Sequence, residues 1–194
     1  MVRKSFVLTA AMLLSGCVAY SAVAPGTIDY SGLKVTSAQA WNVAPGVAGG
    51  ALRKDSLQWT QDGLLLDRIV FIPAVADGET LFRVSSGADA LPSFQADMLP
   101  NEIEEIVESS IVKLFAQGEV SVDTQNLRPH KFGETQGVLF DMQMAVSDGP
   151  DYSGITGAFV NGGKLYVIIY LGAQPYYFDK HKDEALAIIR GARV

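Results

Sequence analysis

The run Leu165-Tyr166-Val167-Ile168-Ile169-Tyr170-Leu171 constrains the fold more than any other stretch. Successive side chains of a strand point to opposite faces, and this run offers no polar face to water. A strand of that kind belongs in the middle of a sheet that is covered on both sides. The rest of the chain must therefore supply paired neighbours for it and apolar layers above and below.

The neighbours are legible as a meander. Val120–Gln125 reads as one strand, and Val138–Val146 alternates through Phe140, Met142 and Met144. The turn Ser147-Asp148-Gly149-Pro150-Asp151 leads into a strand over 152–160, and Asn161-Gly162-Gly163 turns into the central run. Upstream, Leu33–Thr36 alternates, with Trp41 and Val43 packing after it. Leu57–Thr60 and Leu66–Ile72 flank Asp62-Gly63, which is a hairpin signal. On the second of these strands Leu66, Arg68, Val70 and Ile72 share one face. Residues 73–100 are irregular, and a stretch of that length is a functional flap or decoration.

Two stretches supply cover. Over 101–117, Ile103, Ile106, Val107, Ser110, Ile111, Leu114 and Phe115 follow the helical i, i+3, i+4, i+7 rule. Pro100 stands at the entry, Glu102, Glu104 and Glu105 suit the positive end of the helix dipole, and Gly118 suits the exit. A second helix runs from Asp179, read as its cap, to about Arg190, with Ala185, Leu186 and Ile189 inward. Antiparallel hairpins with two helices make the class α+β.

The N-terminus reads as an export signal. Arg3 and Lys4 precede the apolar run Phe6–Leu14, which is broken only by Thr9. That run is shorter than the roughly 20 residues a membrane span requires. Leu14-Ser15-Gly16-Cys17 resembles the lipobox of bacterial lipoproteins, and Cys17 is the one cysteine of the chain. The resemblance implies cleavage before Cys17, acylation of its sulfur, and anchoring in a bilayer through two or three chains, which holds firmly. Val18 stands where the inner-membrane retention signal of such lipoproteins would be Asp, which implies the outer membrane, facing the periplasm. The division expected is a signal peptide over 1–16, a lipidated tether over 17–32 and one α+β domain over 33–194.

Loss of Arg3 and Lys4 with the leader takes the 15 basic residues to 13, against 21 acidic ones. A net charge of −8 without a basic face argues against nucleic acid as partner. With Cys17 acylated, no thiol remains for a disulfide, a nucleophile or a cysteine metal site. The two histidines, His130 and His181, lie far apart and lack the clustered ligands of a zinc site, so neither a metal nor a cofactor is expected. His181 is expected in the solvated first turn of the last helix. His130 is expected in a loop beside Arg128 and Lys131, the best candidate for a general base. No Gly-x-Ser-x-Gly elbow occurs. Tyr176-Tyr177-Phe178 places three rings on a connection, with Trp41, Trp59, Tyr166 and Tyr170 expected nearby. Tyrosines are common in binding sites.

The order of elements, with the Ile-Glu-Glu-Ile-Val-Glu-Ser helix and the Gly-Gly-Lys-Leu-Tyr hairpin, resembles the PsbP-like fold over roughly 30–194. That fold is an α-β-α sandwich found in the extrinsic photosystem II protein, a Ran-binding nuclear import factor and DcrB-type envelope lipoproteins. The resemblance implies binding or assembly support rather than catalysis. The first functional expectation is an anchored, non-enzymatic module that meets an envelope protein, with Arg128, His130, Tyr176 and Tyr177 as candidate contact residues. The alternatives are a carrier of a small molecule or lipid with an apolar cavity beneath the aromatic connection, and a hydrolase using His130.

Overall fold

The computed structural model describes residues 20–44, 51–83, 90–115 and 118–194. Residues 1–16 and Cys17 lie outside these. The elements are β1 (Ser21–Val23), β2 (Gly26–Tyr30), β3 (Leu33–Ser37), β4 (Trp41–Val43), β5 (Leu57–Thr60), β6 (Asp67–Val75), α1 (Pro100–Val112), β7 (Val120–Phe132), β8 (Thr135–Val146), β9 (Tyr152–Asn161), β10 (Lys164–Ala173) and α2 (Tyr177–Arg190). One sheet runs in the order β1-β4-β5-β6-β10-β9-β8-β7, and β2 and β3 form a separate hairpin. All strand pairs are antiparallel. The doubly apolar strand is β10, held between β6 and β9 in the interior of the sheet.

Its two faces feed two cores. Val167, Ile169 and Leu171 join Val70, Ile72, Phe140, Met142 and the α1 residues Ile103, Ile106, Val107 and Ile111. Ile168 and Tyr170 join Ile69, Phe71, Trp41, Trp59 and the α2 residues Ala185, Ile188 and Ile189. Adjacent residues of β6 and β10 thus enter different clusters, as a strand with period two requires. Packing is the main restraint on α1, since 13 residues are near the length at which an isolated helix is marginal, and Thr124 Oγ1 of β7 adds a hydrogen bond to Glu108 at 2.6 Å. It begins at Pro100, where the Leu99 backbone N–H donates to Glu102 at 2.6 Å. It packs on β7 and β8, so β5, β6 and β10 carry no helix on that face. Part of the irregular 73–100 segment fills in instead, through the buried Leu81, Phe82, Leu91 and Phe94.

Several expectations are corrected. Residues 21–30, expected as tether, form β1 and β2. The first long helix ends at Val112 rather than 117. The strand expected over 120–125 continues to Phe132, with a register shift between Gln125 and Arg128 and a positive φ of 58° at Asn126. His130 and Arg128 therefore stand on a strand, not in a loop. Asp179 lies in the first turn of α2, and no side chain caps that helix. Among the described residues no helix is long and apolar enough to cross a membrane.

Candidate functional site

Where α1 leaves the sheet uncovered, a cavity of about 610 Å³ opens. Its floor is made of cross-strand rows. Gln58 of β5, Val70 of β6 and Ile169 of β10 lie side by side, and Arg68 lies beside Leu171 in the next row. Ile111 of α1, with Leu114 and Phe115 just beyond it, and Phe82 close the space from above. Residues 51–54 and Leu64–Leu65 form its rim. Val70, Phe82, Ile111, Ile169 and Leu171 are each buried, whereas Leu65 and Phe115 are 76 % and 40 % exposed. The volume and apolar lining are those of small-molecule sites.

One charge stands on the floor. Arg68 lies over the Tyr152 ring at 5.7 Å, and the Tyr152 hydroxyl is turned away to donate to the Leu65 carbonyl at 2.7 Å. Among the described residues no carboxylate pairs with Arg68. Burial lowers its pKa, with Tyr152 opposing, yet a guanidinium stays protonated in proteins. Arg53 at the rim differs, since it bonds Asp55 at 3.2 Å and Glu79 at 2.9 Å.

The residues singled out in the sequence do not converge on this cavity. Arg128 lines a smaller hollow of about 470 Å³ beside the start of α1, and its guanidinium is committed to Asp141 at 2.9 Å. His130 Nε2 lies 3.1 Å from the Arg190 carbonyl, and its ring meets Phe132 edge-on at 4.8 Å. No carboxylate among the described residues pairs with it, so the oriented general base that a hydrolase would need is not formed. Tyr176 and Tyr177 flank Lys180, whose ammonium is 5.8 and 5.9 Å from their rings. The space beneath that connection is filled. Tyr170 stacks on Phe178 at 5.7 Å and donates to the Tyr177 and Phe178 carbonyls, both at 3.0 Å. The cavity lies on the opposite face of the sheet.

His181 is the largest departure. It is buried, with Nε2 2.6 Å from Asp62 Oδ2. Asp62, Asp67 and His181 bring ligand-type atoms within 4.8 Å of one another, but their oxygens are already used. Asp67 accepts from Thr60 Oγ1 and the N–H groups of Gln61 and Asp62, while Asp62 accepts from Lys180 Nζ at 2.7 Å. The cluster pins α2 to the β5–β6 turn. Burial opposes the charge on Asp62, but hydrogen bonds from Lys180 and His181 outweigh it and hold its pKa below 3.8. A depressed folded-state pKa contributes stability above the unfolded value, and that contribution is lost as pH falls through the lowered one. The urea midpoints of the native chain and Asp62→Asn are expected to differ at neutral pH and to converge below pH 3.8. A gap that persists unchanged to about pH 2 would contradict this linkage.

The fold has a solved counterpart. The chain is similar to the solution structure of cyanobacterial PsbP (CyanoP) from Synechocystis sp. PCC 6803, with a TM-score of 0.59 over 95 % of this chain and 98 % of that one. Identity is 11 %, so the likeness shows the PsbP-like fold and nothing finer. No family model matches the chain, and no curated protein matches it.

Proposed function

We propose that this chain is a lipid-anchored envelope protein whose PsbP-like α-β-α domain binds rather than catalyses, taking an apolar ligand into the cavity between α1 and the β5–β6–β10 floor. The observation that carries the reading is the cavity itself, about 610 Å³ with buried aliphatic walls. A concave space of this size, with apolar walls and a few polar groups, is the usual form of a small-molecule site. The carrier reading thus gains a location other than the aromatic connection first expected for it.

The anchor rests on Leu14–Cys17 and the apolar run before it. With Ser21 already in β1, the tether is a few residues long and holds the domain close to the bilayer. An apolar ligand could then pass between membrane and cavity past the exposed Leu65 and Phe115.

The test uses the full chain carrying Cys17→Ala, which acquires no acyl chain of its own that could fill the space. The neutral dye N-phenyl-1-naphthylamine, which fluoresces when it leaves water, is expected to bind saturably at one site. Ala51→Phe, placed on the cavity rim outside the strands, is expected to weaken that binding at least tenfold with the urea midpoint unchanged. Absence of saturable binding, or binding indifferent to Ala51→Phe, would refute the reading. In fractionated cells the native chain should sediment with membranes and the Cys17→Ala chain should not.

A further inference from the structure

The cavity has buried aliphatic residues at its centre and polar or charged ones around them. Its floor carries Arg68, a half-buried residue whose guanidinium lies over the Tyr152 ring and has no ion-pair or hydrogen-bond partner among the described residues. A guanidinium offers five N–H donors in a planar fork, and on this apolar floor they are left free to meet a ligand. Ser56, just before β5, lines the same cavity further along the floor. Of the buried side-chain polar atoms that lack a partner among the described residues, Ser56 Oγ is the one that belongs to a cavity-lining residue. Buried polar groups in native folds are almost always bonded. An unpaired guanidinium and an unbonded hydroxyl in the lining of one cavity are both free to meet a ligand.

The charges at the rim have the same sign. Lys54 and Arg83 line the cavity and are exposed. Asp55 and Glu79 are tied to Arg53. Among the described residues the lining therefore holds Lys54, Arg68 and Arg83 besides the paired Arg53, and no carboxylate, in a chain whose net charge is −6. A local positive field inside an acidic protein selects for negative charge. A carboxylate or phosphate fits a guanidinium through two parallel hydrogen bonds.

We infer that the cavity takes an anionic amphiphile, a single apolar chain ending in a carboxylate or phosphate, with the chain along Val70 and Ile169 and the head on Arg68. The inference rests on the reading of the cavity as a ligand site. Arg68 then discriminates charged chains from neutral ones, and the aliphatic walls contribute affinity that grows with chain length.

The test titrates the full chain carrying Cys17→Ala with four twelve-carbon compounds below their micellar concentrations: laurate, dodecyl phosphate, dodecanol and dodecyltrimethylammonium. Laurate or dodecyl phosphate is expected to bind at least tenfold more tightly than dodecanol, and the cation more weakly still. Whichever anion binds more tightly identifies the head group. Arg68→Met should reduce the anion's affinity to that of dodecanol while leaving dodecanol unaffected. Arg68→Gln, which keeps a polar end, provides a second variant and should do the same. Equal binding of anion and alcohol, or a preference that survives both substitutions, overturns the head-group assignment and leaves the cavity reading standing. Failure of all four chains to bind overturns the cavity reading and this inference with it.

Discussion

Asp67→Ala is expected to lose about 3–4 kcal/mol of stability at neutral pH. Asp67 is fully buried at the start of β6. Its Oδ1 accepts from Thr60 Oγ1 at 3.0 Å and from the Asp62 N–H at 2.7 Å, and its Oδ2 accepts from the Gln61 N–H at 2.8 Å. Hydrogen bonds to a charged acceptor contribute about 1.5–3 kcal/mol, and a buried donor left unmade costs about 1–3 kcal/mol. Alanine orphans three donors at once, though neighbouring losses are not additive. It also releases the β5–β6 turn that carries Asp62, the partner of Lys180 and His181 on α2. Asp67→Asn keeps one acceptor oxygen and presents an NH2 group to a donor, so an intermediate loss is expected. Urea denaturation of both variants gives the comparison, and an Asp67→Ala chain within 1 kcal/mol of the parent, about the usual size of a single mutation, would show that the turn is held by other means.

Gly172→Val is expected to cost about 3 kcal/mol, through a clash rather than a lost bond. A Cβ at Gly172 would stand 2.4 Å from Phe178 Cα and 2.7 Å from its nitrogen, with the Tyr170 hydroxyl at 2.8 Å. Two of those atoms are helix backbone, so relief requires α2 to move off β10. Tyr170 would then lose the carbonyls of Tyr177 and Phe178 that its hydroxyl now satisfies. Gly163, at φ 73° with open space around its would-be Cβ, gives the contrasting case. Gly163→Asn should be nearly neutral, because asparagine tolerates the left-handed region. Thermal melts that rank the two substitutions in the opposite order would contradict this account of how α2 docks.

The sheet was legible because β10 has no polar face and its partners alternate between clear turns. Both helices were legible from their apolar spacing. β1 and β2 were not, since three- and five-residue strands of small, mostly exposed residues carry no pattern. The second half of β7 was hidden by Pro129 and by charges on either side of it. An edge strand tolerates both, and β7 is the last strand of the sheet. His181 was misread as solvated because its partner, Asp62, is 119 residues away, and nothing local announces the pair. The candidate site was hidden for the same reason, being assembled from segments within 51–58, 64–70, 82–83, 111–115 and 169–171. One signal was present, the placement of Arg68 on the same strand face as Leu66, Val70 and Ile72. A lone cation on an apolar face is either exposed at the rim of a core or held for a purpose, and only the fold tells which.

The measurement that tests the central claim most directly is photo-crosslinking of the native full chain in membranes with a dodecanol that carries a diazirine, followed by peptide mapping. Adducts on Val70, Ile111, Leu114, Phe115, Ile169 and Leu171 are the predicted result, because these line the cavity. Adducts confined to surface residues outside it, such as Leu99, Leu127 and Tyr176, would contradict the account and move the site to the exterior of the domain.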